Sequence, residues 1–83
     1  MTVPLQFRKR GMSHWVEAQI VNISRTGILF HMDETIPANT LLDVRVDFPE
    51  YSLLECQCTV IRTEPSRIAV QIQRHNLVHS RHS

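Results

Sequence analysis

The sequence predicts an all-β fold, a small antiparallel barrel of six strands. Three observations carry this expectation. Apolar residues recur with a period of two in six separate segments, no window longer than about ten residues keeps the 3.6-residue period of a helix, and Gly11, Gly27, Pro37, Pro49 and Pro65 divide the segments from one another. Each segment offers one apolar face, more than a flat two-layer sheet in a chain of 83 residues would bury. Closure into a barrel buries all six faces and removes the exposed edges. Turn spacing alone leaves a six-stranded barrel, an OB-like five-stranded barrel and an SH3-like fold open.

The first strand is read over Val3 to Arg8, with Val3, Leu5 and Phe7 on one face, and it ends in the polar turn Lys9-Arg10-Gly11. The second runs from Trp15 to Ser24. Its apolar phase starts on Val16, Ala18 and Ile20 and then shifts to Val21 and Ile23, which predicts a bulge or bend late in the strand. After the turn-forming run Asn22 to Gly27, a third strand resumes on Ile28, Phe30 and Met32. Residues 33–40 form a polar connection in which Pro37 and Asn39 oppose any regular element. The fourth strand alternates Leu42, Val44, Val46 and Phe48 with Asp43, Arg45 and Asp47, and a turn follows over Pro49-Glu50-Tyr51-Ser52. The fifth places Leu54, Cys56, Cys58 and Val60 inward, and the sixth alternates Ile68, Val70 and Ile72 with Ala69, Gln71 and Gln73 after a turn at Glu64-Pro65-Ser66. The expected domain is 1–74, with a polar, frayed tail over 75–83. The expected core includes Phe7, Ile20, Phe30, Val44, Val46, Cys56, Cys58, Val60, Val70 and Ile72, and Trp15 is read as barrel packing or a lid.

Composition narrows the function. So short a chain leaves little volume for a deep, water-excluding cavity, so a surface binding site is expected. Nine Lys and Arg against eight Asp and Glu give a net charge of +1, which excludes a domain that binds nucleic acid mainly by neutralising phosphates. No apolar run approaches the roughly 20 residues of a membrane span, and no signal peptide is visible, so a cytoplasmic protein without membrane insertion is expected. Cys56 and Cys58, at i and i+2 of one strand, share a face and are read as buried thiols. A disulfide between them would strain the bridge geometry, and the five histidines supply no paired Cys/His metal pattern. No nucleophile, base and orienting group stand at fixed spacing, so no catalytic residues are assigned and an enzyme is not expected.

The most specific segment is Asn22-Ile23-Ser24-Arg25-Thr26-Gly27, at the corner between the second and third strands. It resembles the (Asp/Asn)-x-Ser-x-x-Gly motif of PilZ domains, and the order of strands after it is similar to the PilZ barrel over roughly residues 3–74. The resemblance implies a domain of bacterial cyclic di-GMP signalling. It assigns ligand-binding roles to Asn22 and Ser24, which would present hydrogen-bonding groups to a guanine edge, and to Gly27, which would permit close approach. Arg25 projects from the same corner, where it would meet a phosphate or a partner carboxylate.

PilZ domains that bind the dinucleotide also carry an Arg-x-x-x-Arg segment before the first strand, whose guanidiniums grip phosphates and stack on guanines. Here only Met1 and Thr2 precede that strand, so this half of the site is expected to be absent. The expected function is therefore a PilZ-like regulatory domain with weak or lost dinucleotide binding, acting through a protein partner. Asn22 and Ser24 would then serve their own turn. Two alternatives stand beside it. One is a working cyclic di-GMP receptor in which Arg8, Arg10 or Arg25 replaces the missing arginines. The other is an OB-like or SH3-like barrel for single-stranded nucleic acid, against which the shortage of outward aromatic residues argues, so neither DNA nor RNA is expected as a partner. Gly27 is expected to take a positive φ.

Overall fold

A computed structural model describes residues 3–48 and 53–78, the side chains of residues 76–78 excepted. The turn read over residues 49–52 and the last five residues lie outside it. Six strands, β1 (Val3–Lys9), β2 (Val16–Ile23), β3 (Gly27–His31), β4 (Leu41–Asp47), β5 (Leu53–Glu64) and β6 (Arg67–Val78), pair antiparallel. They close in the order β1, β2, β3, β6, β5, β4, with β4 returning to β1. The all-β, six-stranded antiparallel barrel expected from the alternation is therefore the fold, and the described residues contain no helix. None is long and apolar enough to cross a membrane.

Period-two alternation builds the interior directly. Leu5 and Phe7 from β1, Ala18 from β2, Ile28 and Phe30 from β3, and Leu42, Val44 and Val46 from β4 all point inward and are buried. Cys56, Cys58 and Val60 from β5 and Ile68 and Val70 from β6 complete the lining. Phe7 and Phe30 meet across the barrel with ring centroids 5.2 Å apart and planes tilted by 38°, a tilted geometry that aromatic pairs favour over a face-to-face sandwich. Two of the expected core residues, Ile20 and Ile72, are only partly buried and pack against the margin of this cluster.

The structure departs from the sequence reading in the barrel wall as well. β6 runs on to Val78, where residues 75–78 pair with Leu53 to Cys56, so this stretch is strand and not frayed tail. It carries no alternating apolar stripe to announce it, and backbone pairing with β5 needs none. Ile36, inside the polar connection, is 3% exposed and joins the core, held by the Thr63 hydroxyl, which donates to the Ile36 carbonyl at 2.6 Å. Trp15 lies half-buried with the guanidiniums of Arg8 and Arg45 over its ring, 4.6 and 4.1 Å from the centroid. Arg45 sits between the inward-facing Val44 and Val46, and Arg8 follows the inward-facing Phe7, so the indole packs on the outer wall and not inside the barrel.

The two cysteines are free and buried, as their shared strand face predicts. Cys58 is pushed above the ordinary thiol range, first by its hydrogen bond with the Cys56 sulfur and then by burial. A protonated, inaccessible sulfur is a poor nucleophile. Both sulfurs are buried in the native chain, so both should react with Ellman's reagent only after denaturant is added. Stoichiometric reaction of the native chain within minutes would contradict the packing.

Candidate functional site

The corner between β2 and β3 owes its shape to one extra residue. Ile20 pairs with Phe30 and Asn22 with Leu29, so Val21 is a bulge. Ala18 and Ile20 face inward, and strict alternation would have carried Asn22 inward after them. The bulge reverses the phase, and the Asn22 amide stands in solvent beside the outward Leu29. This is the bend expected from the shift between Ile20 and Val21, and it is what delivers the motif to the surface.

Within the turn, Ser24 is tied down by its own neighbours. Its backbone N–H donates to the Gly27 carbonyl at 2.9 Å. Its hydroxyl donates to the same carbonyl at 3.4 Å and accepts from the Thr26 N–H at 3.4 Å. Arg25, at the tip, is exposed and makes no ion pair among the described residues. Gly27 does not have the positive φ expected of it, since the glycine in that region is Gly11, at +91°. Close approach is the reason for the glycine instead. A Cβ at Gly27 would stand 2.8 Å from the Val70 carbonyl oxygen, on the strand that receives the corner through the Ile72 N–H to Thr26 carbonyl bond of 2.8 Å.

Cross-strand pairing extends the corner into a groove. Asn22 pairs with Leu29, Leu29 with Ala69, and Ala69 with Arg62, so one row crosses β2, β3, β6 and β5. At about 4.8 Å per strand spacing this row spans roughly 14 Å. A groove of about 290 Å³ lies along it, lined by Asn22, Ser24, Gly27, Leu29, Ile61 and Arg62 among others. Arg62 is the cation that sequence reasoning missed here. The register of β5 shifts between Val60 and Arg62, leaving Ile61 outward and 50% exposed beside it. An apolar residue directly after the inward Val60 carries the same out-of-phase signature that exposed the β2 bulge. The Arg62 guanidinium is held by Glu64, Nε to Oε2 2.7 Å.

Asn22, Ser24, Arg25 and Gly27 are thus gathered at one corner, and Arg8 and Arg10 are not. Phe7 pairs with Val16 and Val3 with Ile20, so Arg8 and Asn22 sit at opposite ends of the β1–β2 hairpin. At about 3.3 Å per residue, that separates them by roughly 20 Å. Both arginines converge on one carboxylate, with Arg8 Nε 3.1 Å from Asp43 Oδ2 and Arg10 Nε 3.6 Å from Asp43 Oδ1.

No curated protein matches the chain. The PilZ domain matches it over residues 1–82, a span that takes in the corner of Asn22, Ser24 and Gly27. PilZ domains are regulatory and binding modules that interact with cyclic di-GMP and with proteins, and they are not a catalytic family. The chain belongs to the PilZ family and is a domain of cyclic di-GMP signalling.

Proposed function

We propose that this domain is a bacterial, cytoplasmic regulatory module that binds cyclic di-GMP weakly or not at all through its corner and transmits its signal by docking a protein partner there. The supporting observation is the state of the hydrogen-bonding groups around the motif. The Ser24 hydroxyl is engaged in its own turn, Arg62 is neutralised by Glu64 at 2.7 Å, and Arg8 and Arg10 are bound to Asp43 at the other end of the hairpin. Only Arg25 offers an unpaired guanidinium at the corner among the described residues. A bis-phosphate ligand depends on several charge-assisted contacts, each worth about 1.5–3 kcal/mol, and one arginine supplies a fraction of them. The exposed Val21, Ile23 and Ile61 around Asn22 and Arg25 suit a protein surface, where apolar contacts are rimmed by polar groups.

Two measurements test this. Calorimetric titration of the chain with cyclic di-GMP should give a dissociation constant weaker than about 100 μM. A tighter value would establish the working receptor instead. The double substitution Asn22→Ala with Arg25→Glu should abolish capture of the partner that the unaltered chain retains from a bacterial lysate. Its melting temperature should hold, because exposed polar changes cost only about 0.5 kcal/mol. Undiminished capture would move the docking site away from the corner.

A further inference from the structure

A second row of paired residues crosses the barrel on the wall away from the corner. Arg8 pairs with Asp43, Asp43 with Gln57, and Gln57 with Arg74, through β1, β4, β5 and β6. Beside it Arg45 of β4 pairs with Glu55 of β5. Trp15 covers this wall with the Arg8 and Arg45 guanidiniums over its ring. A cavity of about 250 Å³ opens there, lined by Trp15, Arg45, Glu55, Gln57, Arg74 and His75 together with Arg8 and Asp43.

The hydrogen-bonding account of this wall does not close. Arg45 Nε is buried and has no hydrogen-bond partner, the nearest carboxylate oxygen being Glu55 Oε2 at 3.8 Å, too long for a hydrogen bond. The Arg45 side chain is nonetheless 39% exposed, so its guanidinium still has donors to offer an outside acceptor. Arg74 and His75 are exposed at the same cavity and make no ion pair among the described residues. Three guanidiniums against two carboxylates in its lining leave one positive charge in excess. That balance accepts a single negative charge, while Asp43 and Glu55 oppose a doubly charged phosphate. The volume lies below the ~300–1000 Å³ typical of small-molecule pockets, and it suits one side chain.

We propose that this wall is a carboxylate-binding site for an acidic segment of a protein partner, in which one Glu or Asp side chain enters the cavity beside Trp15 and receives hydrogen bonds from Arg45 and Arg74. The proposal rests on the reading that the domain works through a partner, and it gives that partner a chemistry and a contact remote from the corner.

The single tryptophan reports on the site directly. A blocked alanine-glutamate-alanine peptide, titrated while the Trp15 indole N–H resonance is followed, should shift that resonance saturably, and the glutamine counterpart should not. Arg45→Gln should weaken the peptide at least tenfold, the loss of one charge-assisted hydrogen bond. Glu55→Gln, on the same outer wall, should tighten it roughly fivefold by removing a like charge. An equal response to the glutamine peptide, unchanged affinity in Arg45→Gln, or tighter binding of inorganic phosphate than of the glutamate peptide would each overturn the assignment. Because this readout needs neither cyclic di-GMP nor the corner, a normal peptide titration with no partner captured would refute the docking reading alone. A flat titration with a partner captured would refute the carboxylate site alone.

Discussion

Phe30→Ala is expected to lower the unfolding free energy by about 3–5 kcal/mol. Phe30 is fully buried, and its ring meets Phe7 near the middle of the barrel. Truncation leaves a cavity that a closed ring of hydrogen-bonded strands is poorly able to collapse. A domain of this length is held by roughly 4–12 kcal/mol, so the variant should melt at least ~12 °C lower or fail to fold at ambient temperature. Ile61→Ala, at a half-exposed position on the outer wall, is the matched control and should change stability by less than about 1 kcal/mol. Denaturant titration of the two side by side checks this. Equal losses would mean that the interior does not carry the stability of the fold.

Gly27→Ala should cost about 1–3 kcal/mol, through steric overlap with the neighbouring strand. The added methyl would meet the Val70 carbonyl oxygen at 2.8 Å, and that atom belongs to backbone, which cannot turn aside as a flexible side chain would. Gly27 pairs with Gln71 at the start of the β3–β6 ladder, and the adjacent Thr26 carbonyl accepts the Ile72 N–H. Moving β3 off β6 to admit the methyl would therefore loosen the Ser24 turn along with the ladder. Gly27→Val should be worse than Gly27→Ala. By contrast, Gly11→Ala would act through backbone conformation alone, since Gly11 holds a φ of +91° with no atom near its missing Cβ. Thermal melts of the two Gly27 variants that coincide with the parent would refute the close approach.

The strands were legible because each alternates on its own. Leu42, Val44 and Val46 declare their face without reference to any partner, and so do Cys56, Cys58 and Val60. The bulge was legible for the same reason, as an apolar pair out of phase at Ile20 and Val21. What stayed hidden depends on contacts between distant segments. Ile36 is one apolar residue in a polar loop, and nothing local says that it reaches the core. The backbone of β6 past Gln73 pairs with β5 whatever its side chains are. The motif residues of the corner could be named in advance, but the reason for Gly27 lies 43 residues away at Val70. Arg62 joins Asn22 only because two intervening strands align them in one row. Trp15 was visible as the sole tryptophan, whereas its two arginines come from different strands.

Ring closure also sets how this domain must fold. Four of its six pairings are local hairpins or near-neighbours, but the ring is completed by β1 on β4 and by β3 on β6. Leu5 must find Val46 and Ile28 must find Val70, each across about forty residues of chain. Neither long-range seam has a turn to bring its strands together, so the entropy of closing both loops is lost before their contacts form. Refolding should therefore fall in the millisecond-to-second regime of barrels rich in distant contacts. Substitutions at the seams, such as Leu5→Ala, should slow refolding more than equally destabilising changes on β5 if the seams are built in the transition state.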